Sequence, residues 1–304
     1  MPKLMPHDPL NILIIHGMGD QPKDFSIGFQ KELLSKFNTS LDYLTKDYSI
    51  SKPSRSEPLN FIPGWWAPVM DATQKELERR IYNDKKKIPF LRKFGMSFMG
   101  DVVAYQGEPV YNEIHRCLAE ALRANLKTGS GHLTILAHSL GSMIASDFVY
   151  DHTIKIGKTF QDGFGVSFSN FFTLGAPLVL YAMRSANGEA FTPARLLDHF
   201  DRPVRVESET GYWLNLFDDD DIIGYPIKPV NRFYREAVTA DLTVTVGDFL
   251  TRWNPLSHAH YWDDGGVCRI VADKLAIDFA AIHLGLKGPD LQAALAHYRK
   301  RYNF

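Results

Sequence analysis

Ser139 stands in the segment AHSLG, between the apolar run LTILA (133–137) and a helical pattern carried by Leu140, Met143, Ile144 and Phe148. A serine on a sharp turn from strand to helix exposes its Oγ beneath the free amides and positive dipole of the following helix. The chemistry such a residue can do is nucleophilic attack on a carbonyl, with a transient negative oxygen that must be stabilised. The turn strains the nucleophile's backbone, so small residues are needed two positions away. Gly141 supplies one, and Ala137 stands where glycine is more usual. His138, beside the serine, helps to shape the turn. A serine that merely caps a helix is the competing reading. The strand, HSLG, helix context asks for more than a cap.

A tetrahedral intermediate needs two amide donors, one from the residue after the nucleophile and one from the loop after an early strand. Leu140 N–H is the first candidate. The segment His16-Gly17-Met18-Gly19 ends the first strong strand, and its glycines let the backbone turn and approach a ligand, so Met18 N–H is the second candidate, with Gly17 N–H close behind. Alone, HGMG reads as an ordinary tight turn; paired with AHSLG it becomes specific.

In folds built around such an elbow an acid and then a base follow the serine in the chain, each just after a strand. The run YWLNLF (212–217) leads into Asp218-Asp219-Asp220-Asp221 and then Ile222-Ile223. Of the four carboxylates, Asp221 adjoins the apolar pair and is the one expected to turn inward, leaving the others as solvated loop charges. After LTVTVG (242–247) comes NPLSHAHYWDDGGV, where His258 and His260 can each serve as the base on spacing alone. The same histidines with Asp263 and Asp264 have the donors of a zinc site, but a nucleophile and an acid elsewhere already account for a histidine here, and no metal or other cofactor is expected. His7, His115, His132, His152, His199 and His283 show no partner pattern and read as structural or surface residues.

These residues need a scaffold that brings strand ends together. NILII (11–15) is the continuous apolar run of a strand buried on both faces. Helical spacing follows from Asp24 to Phe37, and again from Val110 to Leu126 before the loop KTGSGH and the strand LTILA. Further apolar runs at FFTLG (171–175), YWLNLF and LTVTVG alternate with helical or polar stretches. The expected fold class is α/β, a doubly wound, mostly parallel sheet with helices on both faces. Residues 1–304 are read as a single domain with a helical cap-like, substrate-facing insertion at about 60–108. In it Trp65, Trp66, Phe90, Phe94, Met96, Phe98 and Met99 offer apolar surface to a greasy substrate, although ordinary packing on the sheet explains aromatic clusters equally well. The polar stretch from Arg184 to Glu209 reads as a second loop over the site or an excursion between strands.

Composition narrows the partners. The chain has 304 residues, is 45% hydrophobic, and balances 34 Lys and Arg against 35 Asp and Glu for a net charge of −1. That leaves no basic field for nucleic acid or an anionic membrane surface. Lys85-Lys86-Lys87 reads as a solvated helix end. The two cysteines, Cys117 and Cys268, are too far apart in sequence for a CxxC pair and are expected as buried free thiols. The N-terminus MPKLMPHDPL lacks the apolar core of a secretory signal, and no stretch reaches the roughly 18 apolar residues of a membrane span. A cytoplasmic location is the expectation.

With HGMGD, AHSLG, FTLGAP, WLNLFDDDDIIGYP and SHAHYW in that order, the chain resembles the α/β-hydrolase superfamily, and within it the lipase-like serine esterases. The resemblance spans most of the chain and implies the α/β-hydrolase fold and the cleavage of carboxylic esters in small or lipid-like molecules. Related lipase-like proteins carry an asparagine, an aspartate and a second aspartate three positions on; Asn215, Asp218 and Asp221 match, which implies Asp221 as the acid. The family's histidine precedes a Tyr-Trp pair by a few residues, which implies His258 rather than His260. FTLGAP resembles the turn bordering the site in lipases, with no catalytic role. Ala137 and the unbroken acidic run depart from the pattern. The same triad serves thioesterases, acyltransferases and phospholipases, and a non-catalytic binding protein would keep the same scaffold.

Overall fold

The computed structural model describes residues 8–18, 21–51, 57–70, 99–179, 202–247 and 255–304. Among the described residues six strands form one sheet, β1 (Leu10–Ile15), β2 (Leu59–Gly64), β3 (His132–His138), β4 (Ser167–Leu174), β5 (Trp213–Phe217) and β6 (Ala240–Thr243). Their order is β2-β1-β3-β4-β5-β6 and every pairing is parallel. Among the described residues the helices include α1 (Ile27–Asp47), α2 (Glu108–Asn125), α3 (Leu140–His152), α4 (Phe160–Phe164), α5 (Arg232–Ala237), α6 (Gly265–His283) and α7 (Gly288–Tyr302).

Strand side chains alternate between two faces, and the alternation separates two cores. Leu13, Ile15, Ile135 and Phe171 pack with Ile114 and Leu118 of α2 and Phe148 of α3. Ile12, Ile14, Leu136 and Phe172 pack on the other side with Phe29, Leu33 and Phe37 of α1 and Leu275 and Phe279 of α6. Apolar residues on consecutive positions of β1 and β3 are thus explained by helices above and below. This is the doubly wound α/β architecture expected from the sequence.

Several boundaries differ from those expectations. The first helix runs ten residues beyond Phe37, because Ser40 and Leu41 continue its buried face and the Ser40 hydroxyl bonds the Asp273 carboxylate of α6. Leu59–Gly64, assigned from sequence largely to the insertion, is instead the edge strand β2, paired in register with β1. Trp66, read as substrate-facing surface, is fully buried; it stacks on His16 with ring centroids 4.6 Å apart. Trp65 is half-buried and donates its ring N–H to Gln21 O at 2.8 Å, and Met99 is exposed. Phe90, Phe94, Met96 and Phe98, the core of the proposed cap, lie outside the described residues, as does most of Arg184–Glu209. Cys268 is buried, whereas Cys117 is only half-buried. Among the described residues, no helix is long and apolar enough to cross a membrane.

Candidate active site

The nucleophile candidate sits where β3 hands over to α3. Ser139 N–H continues the ladder by donating to Leu174 O of β4 at 2.8 Å, and the next residue is already helical. Ser139 itself takes φ 53° and ψ −130°, a conformation that costs a side-chain-bearing residue of order 1–3 kcal/mol and is kept only where the surroundings impose it. They do so by backbone packing. A Cβ on Gly141 would lie 2.3 Å from His16 O, and one on Gly17 would lie 2.8 Å from Ser139 Cβ. Glycine at both positions lets the 16–18 turn press directly on the elbow. Ala137 is tolerated because its methyl is buried in the sheet, and its carbonyl receives the Ser142 hydroxyl at 2.9 Å. A buried serine in strained geometry thus stands between a central parallel strand and a helix of the doubly wound α/β sheet.

Two later strand ends converge on Ser139. His258 Nε2 lies 2.7 Å from Ser139 Oγ, and its Nδ1 lies 2.8 Å from Asp221 Oδ2. Burial by itself raises the Asp221 carboxyl, but the hydrogen bond and charge of His258, with the amides of Ile223 and Gly224, hold it below the ordinary carboxylate value. An ionised Asp221 can only accept, so Nδ1 carries the imidazole proton and Nε2 faces the serine hydroxyl as an acceptor. The three residues are at most 4% exposed. The histidine brought to Ser139 is His258. His260, half-buried, uses its backbone N–H to close the turn onto Ser257 O at 2.9 Å.

The loop after β5 is held by the matched polar residues. Asn215 donates to Tyr225 O at 2.9 Å and to Asp241 Oδ1 at 2.8 Å, while Thr173 donates to its carbonyl oxygen at 3.0 Å. Asp219 and Asp220 are exposed, as expected of loop charges. Asp218, expected with them in solvent, is buried: its carboxylate accepts Asp220 N–H at 2.8 Å and Val246 N–H at 2.7 Å, tying the β5 loop to the β6 loop. A carboxylate with two amide donors repays its desolvation, which a sequence reading of four adjacent charges did not anticipate.

His16, Gly17 and Met18 form the wall opposite. Trp66 N–H donates to His16 Nε2 at 3.1 Å, so Nδ1 must carry the proton, which it gives to Met18 O at 3.1 Å. Burial lowers the His16 imidazole to about 3, opposed by that carbonyl, so the ring is a neutral brace fixing the turn. Gly19 lies outside the described residues. Leu140 opens α3, which leaves its N–H without an intrahelical acceptor. His138 donates Nε2–H to the backbone carbonyl of His258 at 2.8 Å; burial foremost, then the charge of His258, lowers its imidazole to about 3.

Gly175, in the FTLGAP turn, was missed. It has φ 54°, and a Cβ there would fall 2.8 Å from Tyr261 Cε2, 2.9 Å from Asp221 Oδ2 and 3.2 Å from His258 Cε1. Its role is space: the acid and base approach each other over a residue with no side chain. A glycine immediately after a parallel strand, beside a candidate elbow, was the available signal. The described residues contain no cluster of His, Cys, Asp and Glu that would hold a metal ion.

No family model matches the chain. A probable mitochondrial phospholipase from Schizosaccharomyces pombe is 33% identical in an alignment of 120 residues that covers 36% of this chain; the chain spans 15% of that relative's length. Among solved structures, a candidate hydrolase of the alpha/beta superfamily from Xanthomonas campestris pv. campestris is 13% identical, with a TM-score of 0.34, over 83% of this chain and 96% of its own. A candidate cell surface hydrolase from Lactobacillus plantarum WCFS1 is 12% identical, with a TM-score of 0.35, over 97% of each chain.

Proposed function

We propose that this protein is a serine hydrolase that cleaves carboxylic esters through an acyl-enzyme on Ser139. The observation that carries this reading is the relay itself: Asp221 to His258 at 2.8 Å and His258 to Ser139 at 2.7 Å, ending on a serine in strained geometry. In the first half-reaction His258 Nε2 takes the hydroxyl proton as Oγ bonds to the ester carbonyl carbon. The carbonyl oxygen becomes an oxyanion held by the amides of Leu140 and Met18, with Gly17 N–H as the alternative second donor. The imidazolium, stabilised by Asp221, returns its proton to the leaving alcohol as the C–O bond breaks. In the second half-reaction water, deprotonated by His258, adds to the acyl carbon and Ser139 leaves with the proton.

Phospholipid esters are the second reading, favoured by the 33% identity to a probable phospholipase over part of the chain. Both readings use the same chemistry at Ser139. The test is hydrolysis of a p-nitrophenyl ester chain-length series and of phosphatidylcholine vesicles by wild type and Ser139→Ala, with fluorophosphonate labelling alongside. Turnover and labelling that both vanish in a folded Ser139→Ala support the assignment. Undiminished turnover in that variant rejects it, and a wild-type protein that is neither labelled nor active favours a binding role.

A further inference from the structure

Tyr261 lies three residues past His258 and is wholly buried. Its phenol oxygen receives Asp218 N–H at 2.8 Å, and 3.0 Å away lies Asp221 Oδ2, the oxygen that also takes the proton of His258 Nδ1. The direction of these bonds is forced. An amide can only donate, so the phenol proton is left for the carboxylate. Burial, and then the negative charge of Asp221, raise the phenol well above its ordinary value, so the hydroxyl stays protonated. The ring is packed against His138 with centroids 5.5 Å apart, and the missing side chain at Gly175 leaves room for its edge.

We propose that Tyr261 is a positioning residue of the triad acid, fixing the rotation of the Asp221 carboxylate toward His258 and drawing off part of the charge on the oxygen they share. This rests on the Ser139 hydrolase reading. Ile223 N–H donates to Asp221 Oδ1 at 2.9 Å, so on Oδ2 the Tyr261 hydroxyl is the donor that stands beside His258. A neutral donor on the shared oxygen adds a constraint on that oxygen and weakens the pull of Asp221 on the imidazole proton. Because Asp218 N–H anchors the phenol, the start and the end of the acidic run act on the same oxygen.

The titratable groups facing this cluster are His258 and Tyr261 on the loop after β6, Asp218 and Asp221 on the loop after β5, and His138 at the end of β3 with His16 behind it. Both of those histidines are lowered to about 3, burial being the largest cause, so they remain neutral where the acid limb of an esterase profile is read.

The experiment is the pH dependence of kcat and KM for p-nitrophenyl butyrate in wild type and Tyr261→Phe, with Ser139→Ala as the reference for background. Phe keeps the ring and removes the hydroxyl, taking away the donor to Asp221 and with it the acceptor of Asp218 N–H. The expected result is a kcat lower by about tenfold, the smaller end of what a hydrogen bond to a charged group sustains, with KM unchanged. The acid limb should move up by about 0.5 pH unit, since the imidazole then holds its proton more tightly. A buttress without influence on the relay would alter the folded fraction and leave that limb in place. If Tyr261→Phe does not fold, 3-fluorotyrosine at position 261 keeps the packing and strengthens the donor, and the limb should move down. A folded Tyr261→Phe with wild-type kcat and acid limb, or a fluorotyrosine protein with an unmoved limb, overturns the proposal while Ser139-dependent turnover stands. Turnover that survives Ser139→Ala overturns the hydrolase reading instead.

Discussion

Replacing Gly175 by alanine adds a single methyl group at the point where the acid, the base and Tyr261 crowd together. At φ 54° alanine sits in left-handed backbone, a cost of roughly 1–2 kcal/mol. The new Cβ would lie 2.9 Å from Asp221 Oδ2 and 3.2 Å from His258 Cε1, inside the 3.4 Å at which ordinary contact begins. Asp221 must therefore retreat by about 0.5 Å, and since a displacement of about 1 Å in a catalytic constellation costs on the order of a hundredfold, kcat should fall by about tenfold or more. Gly131 provides the control. It has φ 62° and nothing within 4 Å of its added Cβ, so Gly131→Ala carries the backbone strain without the collision. The assay is p-nitrophenyl butyrate turnover paired with urea unfolding of both variants. Gly131→Ala should lose about 1 kcal/mol and keep its kcat, while Gly175→Ala should lose more stability than that and most of its turnover. A folded Gly175→Ala protein with kcat within about twofold of wild type would refute the claim that the triad closes over an empty Cβ position.

Other perturbations separate the remaining roles. His258→Ala should lower kcat by at least about a thousandfold and His260→Ala by less than about threefold; the opposite ranking in steady-state kinetics would exchange their assignments. His16 and His138 are both lowered to about 3 from an ordinary 6.5. The stability that keeping them neutral contributes is fully present above pH 6.5 and is lost as pH falls toward 3, by about 2 kcal/mol each at pH 5. Urea midpoints at pH 7 and pH 5 measure it, and an unchanged midpoint contradicts the buried neutral state. Asn215→Leu leaves Tyr225 O without its donor and the Thr173 hydroxyl without its acceptor, and takes one of two donors from Asp241 Oδ1, so a loss of about 2 kcal/mol is expected, with turnover falling as the acid's loop loosens. Thermal unfolding and turnover measured together would expose an error if both stayed at wild-type values.

The parts of the site that were legible in the sequence are those whose signal is local. AHSLG needs only its own neighbours to be read as an elbow, and HGMG needs only the strand before it. Asp221 was marked by the adjoining Ile222-Ile223 pair, of which Ile223 is buried while Ile222 is 51% exposed, so the inward pull comes from the second residue of the pair. The choice between His258 and His260 was open on spacing; a short turn aims residues two apart in different directions, and only the direction decides. β2 was hidden because Leu59–Gly64 mixes Asn, Pro and Gly into its strand, a composition tolerated at the sheet's edge, where one side has no partner. Asp218, Gly175 and Tyr261 act through partners 28 to 43 residues away or further, across neighbouring strand ends. Until the order of strands is known, nothing in their own segments identifies those partners.

The hydrogen bond from Ser139 to His258 closes across 119 residues, and that from His258 to Asp221 across 37. Parallel strands supply no local shortcut between such segments, and non-local pairings of this kind form slowly. On the proposed reading the nucleophile therefore leaves the ribosome long before its base, and a nascent or partly folded chain carries the elbow motif with no proton acceptor in reach. Turnover would then require the completed sheet, because Asp221 and His258 follow the strands β5 and β6 that form its far edge.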